Sequence, residues 1–345
     1  MLTNVFSLLP EELAKNILFR QPGIPAYRTK QLLFWLYKSF CNEPEKMSNL
    51  PEEYRAFLQS NYSFYLPAIE NKLLAKDGAV KYRLKLEDGK LIESVLIPTE
   101  KKNTLCISTQ VGCAYNCIFC STGKMGFIRN LETQEIIGQV ILAAKEQKDS
   151  GNKKLSNLVL MGMGEPLNNL QKVLAALTIL QSQEGLSFSP RRITVSTCGI
   201  VPGIIALADS GVKTKLALSL NSAIQTKRNQ LMPVSKQYSL IQLKQALLYY
   251  LRKTSFRVTL EYILIPEFNM NSEDLRALRK FTGDLSCKIN FIPYNPGRSS
   301  QFRAPTETEI KNFMSKAQNL PQAITLRKSR GSDIFGACGQ LTDNT

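Results

Sequence analysis

Three cysteines, Cys113, Cys117 and Cys120, are spaced C-x3-C-x2-C in the run Val111-Gly-Cys-Ala-Tyr-Asn-Cys-Ile-Phe-Cys-Ser-Thr-Gly123. This spacing supplies three thiolates to a four-iron cluster and leaves the fourth iron without a protein ligand. An iron with a vacant position can bind and activate a small molecule, whereas an electron carrier is expected to supply four cysteines. With eight cysteines in 345 residues, chance would produce such a triplet in about 4 of 1,000 chains of this kind. The alternatives are three buried structural thiols or zinc. Structural zinc takes four Cys or His ligands in closely spaced pairs. The chain has no second C-x2-C pair and no histidine.

The absence of histidine excludes the Ser-His-Asp triad, the Cys-His pair, His-ligated metals and the H-x-E deaminase motif. Acid–base work must fall to Cys, Glu, Asp, Lys or Tyr.

The elements that must hold these residues can be read from the patterning. A hydrophobic content of 43% supports a sizeable core in one large domain, or one plus an accessory unit. No apolar run approaches the ~18 residues of a membrane span. The first residues lack a signal peptide's basic and long apolar regions. Free cysteines and an oxygen-sensitive cluster fit a reducing cytoplasm. A net charge of +16 favours a polyanionic partner. The basic residues are dispersed in pairs such as Arg191-Arg192, Lys227-Arg228, Arg252-Lys253 and Arg279-Lys280, and in Arg327-Lys328-Ser-Arg330. That distribution suits a folded groove rather than a basic tail.

Helices are predicted over 10–22, 25–40 and 51–60, with Glu11 and Glu12 near the start of the first. Strands over 79–86 and 91–98 flank Asp88-Gly89, a hairpin signal. From about Leu105 the pattern becomes alternating β–α. Strands are predicted over 104–109, 155–161, 192–196, 215–220, 258–265, 288–293 and 323–327. The helices between them cover 133–147, 169–181, 240–253, 272–281 and 306–318, with Thr133 as an N-cap. Such a series implies a parallel sheet covered by helices, either a partial or complete barrel or a doubly wound sheet. Either would place its site at the C-terminal ends of the strands. The cysteine loop directly follows the first of them.

The cysteine spacing ahead of a β–α series resembles the radical S-adenosylmethionine superfamily. Met161-Gly-Met-Gly-Glu-Pro-Leu-Asn168 is similar to the strand-end motif of the RlmN/Cfr adenosine methyltransferases. So are Ser108-Thr-Gln-Val-Gly-Cys113, Cys120-Ser-Thr-Gly123, Ser189-Pro-Arg-Arg192 with Ser196-Thr197, Ile292-Pro-Tyr-Asn-Pro296, and Arg330-Gly331 with Ala337-Cys-Gly-Gln-Leu341. The resemblance spans essentially the whole chain. Proline in Gly-Glu-Pro and the Lys124-Met-Gly-Phe127 segment are closer to the RlmN branch, which methylates adenosine C2, than to the Cfr-like branch, which methylates C8.

This resemblance implies an α/β fold: a partial (β/α) barrel of the radical S-adenosylmethionine type. A helical accessory domain over 1–68, a β-hairpin extension over 69–98 and a core over 99–345 are expected. It further implies that Cys113, Cys117 and Cys120 hold a [4Fe-4S] cluster whose open iron binds S-adenosylmethionine. Gly164, Glu165, Ser196, Ser219, Leu220, Asn221 and Asn295 are the implied contacts to that molecule. Where the family usually reads Ser-Leu-His, this chain reads Ser219-Leu-Asn221, which replaces a titratable ring with an amide.

Cys338, in the loop Gly336-Ala-Cys-Gly339, resembles the family's methyl-carrying cysteine, and Cys106 the cysteine that resolves the protein–RNA adduct through a transient disulfide. Glu93 matches the proton acceptor; read alone, it is a solvated strand glutamate. Either Glu93 or Cys106 would take the adenine C2 proton. Cys41, Cys198 and Cys287 are expected to be structural.

The implied substrates are an adenosine of the peptidyl transferase centre of 23S rRNA and the adenosine 3′ of tRNA anticodons, position 37. Both would be splayed into a pocket. An electron donor such as flavodoxin and a monomeric state are also expected. The N-terminal helices, with Arg20, Arg28, Lys30, Lys38, Phe34, Trp35 and Tyr37, are the candidate RNA platform, although aromatics at that spacing often form core. An RNA-binding iron–sulfur protein without methyl transfer and a radical enzyme for a small molecule are the rival readings.

Overall fold

The structure, a computed structural model, describes residues 2–297 and 301–341. The N-terminal part holds a short strand β1 (Thr3–Asn4), helices α1 (Pro10–Arg20), α2 (Ala26–Tyr37) and α3 (Glu52–Asn61), and β2 (Tyr62–Ser63), which pairs with β1. Leu13, Ile17, Leu32, Leu33, Leu36 and Leu58 form the buried stripes of the helices. Burying each such side chain stabilises by about 1.5–3 kcal/mol. These residues merge with the hydrophobic core of the rest of the chain.

Next come β3 (Ala68–Leu74), β4 (Val80–Lys85), β5 (Leu91–Pro98), β6 (Asn103–Cys106) and a small hairpin of β7 (Gln110–Gly112) and β8 (Phe127–Asn130) enclosing α4 (Ser121–Lys124). The β–α series continues with α5 (Thr133–Asp149), β9 (Leu155–Leu160), α6 (Leu170–Gln181), β10 (Ile193–Thr197), α7 (Val201–Asp209), β11 (Lys215–Ser219), α8 (Gln225–Leu231) and α9 (Leu240–Lys253). It ends with β12 (Val258–Leu264), α10 (Ser272–Thr282), β13 (Cys287–Pro293), α11 (Glu307–Ala317) and β14 (Ala323–Leu326).

One ten-stranded sheet runs β14-β13-β12-β11-β10-β9-β6-β5-β4-β3. From β6 to β14 the strands are parallel and added in chain order. A winding that never reverses keeps the crossover helices on one face, because such crossovers are right-handed. The sheet is therefore a partial barrel, with β3 and β14 at its edges, and the doubly wound alternative falls. On the other side of β6, the strands β3, β4 and β5 continue it as an antiparallel meander.

Helix starts follow local chemistry. α9 is capped by Ser239 with Gln242, α10 by Asn271 with Asp274, and α11 by Thr306 with Glu309. Each box satisfies backbone donors that the first turn leaves orphaned. The cap of α5 differs from the expectation. Glu132, not Thr133, is the N-cap, and its N–H donates to the Glu135 carboxylate at 2.8 Å. Thr133 is instead the buried first residue of the helix. No helix among the described residues is long and apolar enough to cross a membrane.

Candidate active site

The cysteine loop is built by a sharp reversal. After β6 the chain forms β7, and the loop closes where the Cys113 N–H donates to the Gly126 carbonyl at 2.9 Å. Gly112 has φ +74°, and a Cβ there would lie 1.9 Å from the Gly126 oxygen. Only glycine fits this conformation and contact. The Ile118 N–H donates to the Leu231 carbonyl at 3.1 Å, tying the loop to the end of α8.

Cys113, Cys117 and Cys120 line one cleft of about 840 Å³, counted with the solvent at its mouth, at the C-terminal ends of the strands, together with Gly164, Glu165, Ser196, Ser219 and Asn221. Burial pushes the Cys113 thiol up to about 11 and the Cys117 and Cys120 thiols above their ordinary value. Metal binding to such thiols must displace their protons. Among the described residues, no three acidic or thiol side chains converge on a point suited to one ion. The three thiols share one cleft, and their C-x3-C-x2-C spacing is what suits a four-iron cluster.

The Gly164–Glu165 part of the cleft is equally constrained. Gly164 has φ +97°, and a Cβ there would lie 2.4 Å from Gln110 Cβ. The backbone is thereby brought to the cleft surface. Glu165 is buried, and its carboxylate accepts from the Cys198 N–H at 2.7 Å and the Leu167 N–H at 3.1 Å. Burial raises its pKa, against the pull of these donors.

Asn221 has φ +57°, a conformation asparagine tolerates better than most residues. Its Oδ1 accepts from the Ile263 N–H at 3.1 Å, and its Nδ2 lies 3.3 Å from Met232 Sδ. Its amide thus serves local structure. Leu220 lies outside the cleft: its side chain is in the core, its N–H donates to Glu261 O and its carbonyl accepts from Arg228 Nε. Asn295 lines a neighbouring cavity rather than this one.

That second cavity, about 520 Å³, holds both remaining cysteines of interest. Cys106, the last residue of β6, and Cys338 line it with Met161, Asn295 and Arg327. Cys338 also lines the first cleft. Both are free thiols. The Cys106 thiol is pushed up to about 12, chiefly by burial and then by Cys338, with Arg327 acting against both.

The loop that carries Cys338 is anchored at two ends. At one, the Gly331 N–H donates to the Asp77 carboxylate and the Lys76 N–H to the Asp333 carboxylate, both at 3.0 Å. At the other, the Ser121 N–H donates to Gly339 O at 2.7 Å and Thr122 Oγ1 to Leu341 O at 2.6 Å. The loop therefore bridges the turn between β3 and β4 and the cysteine loop.

Glu93 lies on β5 and is only 1% exposed, with Lys81 Nζ at 3.0 Å from its carboxylate. The solvated-strand reading of Glu93 is corrected by this burial. Glu93 lines neither cavity. It shares a sheet face with Val95, the register partner of Cys106.

Other expectations also change. Cys198 was expected to be structural, yet it lines the cleft and its thiol hydrogen-bonds Glu165. The Lys227-Arg228 pair does not face a polyanion: Lys227 pairs with Asp274 at 2.8 Å and Arg228 is fully buried. Of the N-terminal aromatics, Tyr37 is core, Trp35 donates to Asn49 Oδ1, and Phe34 is 58% exposed. Lys38 is held by Gly185 O and Ser187 Oγ. Arg327 had counted only towards net charge. Its position one residue past β14, at the strand ends where sites form, is the signal that could have marked it.

A partial parallel barrel with a three-thiol loop after its first strand is the architecture of a radical S-adenosylmethionine enzyme. The Radical SAM superfamily model matches residues 107–279, and the ribosomal RNA large subunit methyltransferase N-terminal domain model matches residues 3–63. A probable dual-specificity RNA methyltransferase RlmN from Cytophaga hutchinsonii is 41% identical over 97% of this chain and 91% of its own length. The RlmN of Lawsonia intracellularis is 43% identical over 91% of this chain and 90% of its own. A crystal structure of a radical SAM methyltransferase from Sphaerobacter thermophilus superposes with a TM-score of 0.93 at 36% identity, covering 98% and 99% of the two chains. The chain belongs to the RlmN family of radical S-adenosylmethionine methyltransferases. A 4Fe-4S cluster and S-adenosylmethionine accompany that membership.

Proposed function

We propose that this enzyme methylates C2 of an adenosine in 23S rRNA and of adenosine 37 in tRNA, through a methyl group carried on Cys338. One observation carries the reading: Cys106 and Cys338, distant in sequence, line one cavity, and Cys338 also lines the cleft of the three thiols. The similarity to dual-specificity RNA methyltransferases supports RNA as the substrate. So do Lys328 and Arg330, which line the cavity of Cys338 and supply positive charge for a phosphate backbone.

Cys113, Cys117 and Cys120 would hold the cluster, with Gly164, Glu165, Ser196, Ser219 and Asn221 around S-adenosylmethionine, Asn295 at the adjoining cavity that shares Cys338, and Leu220 supporting them from the core. When bound, these groups supply an electrophilic methyl group and a radical able to abstract hydrogen, with an external donor such as flavodoxin providing the electron. Adenine C2 has no lone pair for an ordinary methyl displacement, so a carrier on the protein is needed.

Cys338 sulfur takes the methyl group by displacement and holds it as a thioether. After that group loses a hydrogen atom, its carbon bonds adenine C2, linking the RNA to Cys338, and the adduct gives up one electron, for which the cluster held by Cys113, Cys117 and Cys120 would be the acceptor. Cys106 then attacks the Cys338 sulfur. The S–S bond forms as the C–S bond breaks, the C2 proton leaves to a base, and the released carbon takes up a proton to become methyl. Such exchange at an activated sulfur is ordinary thiol chemistry.

The base is Glu93, buried on the sheet face of Cys106 but outside both cavities, or Cys106 itself, which lines the cavity of Cys338. Arg327 lies beside both thiols and attracts their ionised forms. The test is Cys106→Ala: it should accumulate a covalent protein–RNA adduct through Cys338. Clean turnover by this variant would remove Cys106 from the mechanism.

A further inference from the structure

Arg228 is the largest fully buried side chain described, at 1% exposure. Burial lowers its pKa only to about 10, so the guanidinium is charged at neutral pH. Its hydrogen bonds go to backbone: Nε donates to Leu220 O at 3.1 Å, and Nη2 donates to Cys198 O at 2.6 Å and Ser219 O at 3.2 Å. Among the described residues it forms no ion pair, and the groups that favour its charge are the thiols of Cys198 and Cys117. The adjacent Lys227, by contrast, has Asp274. A buried charge without a counter-charge is costly and calls for a reason.

Its surroundings supply one. Arg228 sits on α8, whose last residue accepts the N–H of Ile118, next to Cys117, at 3.1 Å. Its three acceptors lie at the C-terminal ends of β10 and β11, and Cys198 and Ser219 line the cleft. Arg228 therefore stands behind the cleft wall, on the side of Cys117.

We propose that Arg228 is the buried counter-charge of the iron–sulfur cluster held by Cys113, Cys117 and Cys120, and that it raises the cluster's reduction potential. The proposal rests on the cluster assignment made above. Three thiolates around a core with two positive charges leave a net negative charge, and reduction adds another. A fixed cation in a low-dielectric site favours the more negative state, and charge near a cluster is one of the levers on its potential. Arg228 would touch neither the substrate nor a reacting atom, so its role is to set the field and hold the strand ends.

The experiment compares anaerobically reconstituted full-length wild type, Arg228→Gln and Arg228→Lys. Iron and sulfide content are measured, and the midpoint potential is read by an EPR-monitored redox titration. With full cluster content, Arg228→Gln should shift the potential downward and Arg228→Lys should stay nearer the wild type. An unchanged potential in a fully loaded Arg228→Gln protein overturns the proposal. A wild type without any cluster would instead sink the cluster assignment. If Arg228→Gln folds but loses its cluster, retention by Arg228→Lys supports the need for charge. If a folded Arg228→Lys also loses it, or if neither variant folds, Arg228 is a brace only and the proposal fails.

Discussion

Asp77→Ala should loosen the loop that presents Cys338, without unfolding the barrel. The Asp77 carboxylate accepts from the Gly331 N–H at 3.0 Å, and its other oxygen accepts from the Ala79 N–H at 3.0 Å. Gly331 is buried, so the substitution leaves a sheltered donor unmatched. A hydrogen bond to a charged acceptor contributes about 1.5–3 kcal/mol, and partial exposure of Asp77 puts the loss near about 2 kcal/mol. At 1.4 kcal/mol per tenfold, that is a factor of about 30 in local opening. Native-state hydrogen exchange reads it directly. Protection of the Gly331 and Gly336 amides should fall by about that factor, while amides in β12 keep theirs. Asp77→Asn, with a neutral acceptor, should lose about 1 kcal/mol, or roughly fivefold. Unchanged protection around Gly331 would refute the clasp. Equal loss in β12 would show that the change acts on global stability instead.

Two further outcomes follow from the site. Gly164→Ala combines a forbidding φ with a Cβ 2.4 Å from Gln110 Cβ; overpacking of this kind costs about 1–3 kcal/mol, so equilibrium dialysis should find S-adenosylmethionine binding weakened by roughly fivefold to a hundredfold. The pKa of Cys106, raised to about 12 in the fold, lies well above the ordinary value of about 8.5. The folded state then holds a proton that the unfolded chain releases, so this stabilisation is complete below pH ~8.5 and is lost as pH rises towards ~12. Iodoacetamide mapped by mass spectrometry should label Cys106 slowly at pH 8, and denaturant unfolding should show the wild type losing stability relative to Cys106→Val above pH ~9.

What could be read from the chain divides along physical lines. β9 to β13 are legible because parallel strands covered by helices are apolar along most of their length. β12 shows this, with six of its seven residues buried. The β4–β5 hairpin is legible from Asp88-Gly89. β3 is not, because Ala-Ile-Glu-Asn-Lys-Leu-Leu is an exposed edge strand with no alternation to read. α7 opens with Val201-Pro-Gly, residues that locally signal a turn. The Cys113, Cys117 and Cys120 spacing is a local signal and survives in the sequence. The clasp of Asp77 on Gly331 and the placement of Arg327 beside Cys106 and Cys338 exist only once the sheet has brought distant segments together. Arg228 shows the converse: a basic pair in the sequence says nothing about which of its two charges is buried.

The most direct test is mass spectrometry of nucleosides from RNA treated anaerobically with the reconstituted enzyme, S-adenosylmethionine and a reductant, with Cys338→Ala alongside. The wild type should yield 2-methyladenosine and the variant none. A product of 8-methyladenosine would move the reaction to the Cfr-like carbon, and methylation persisting in Cys338→Ala would contradict a methyl group carried on that sulfur.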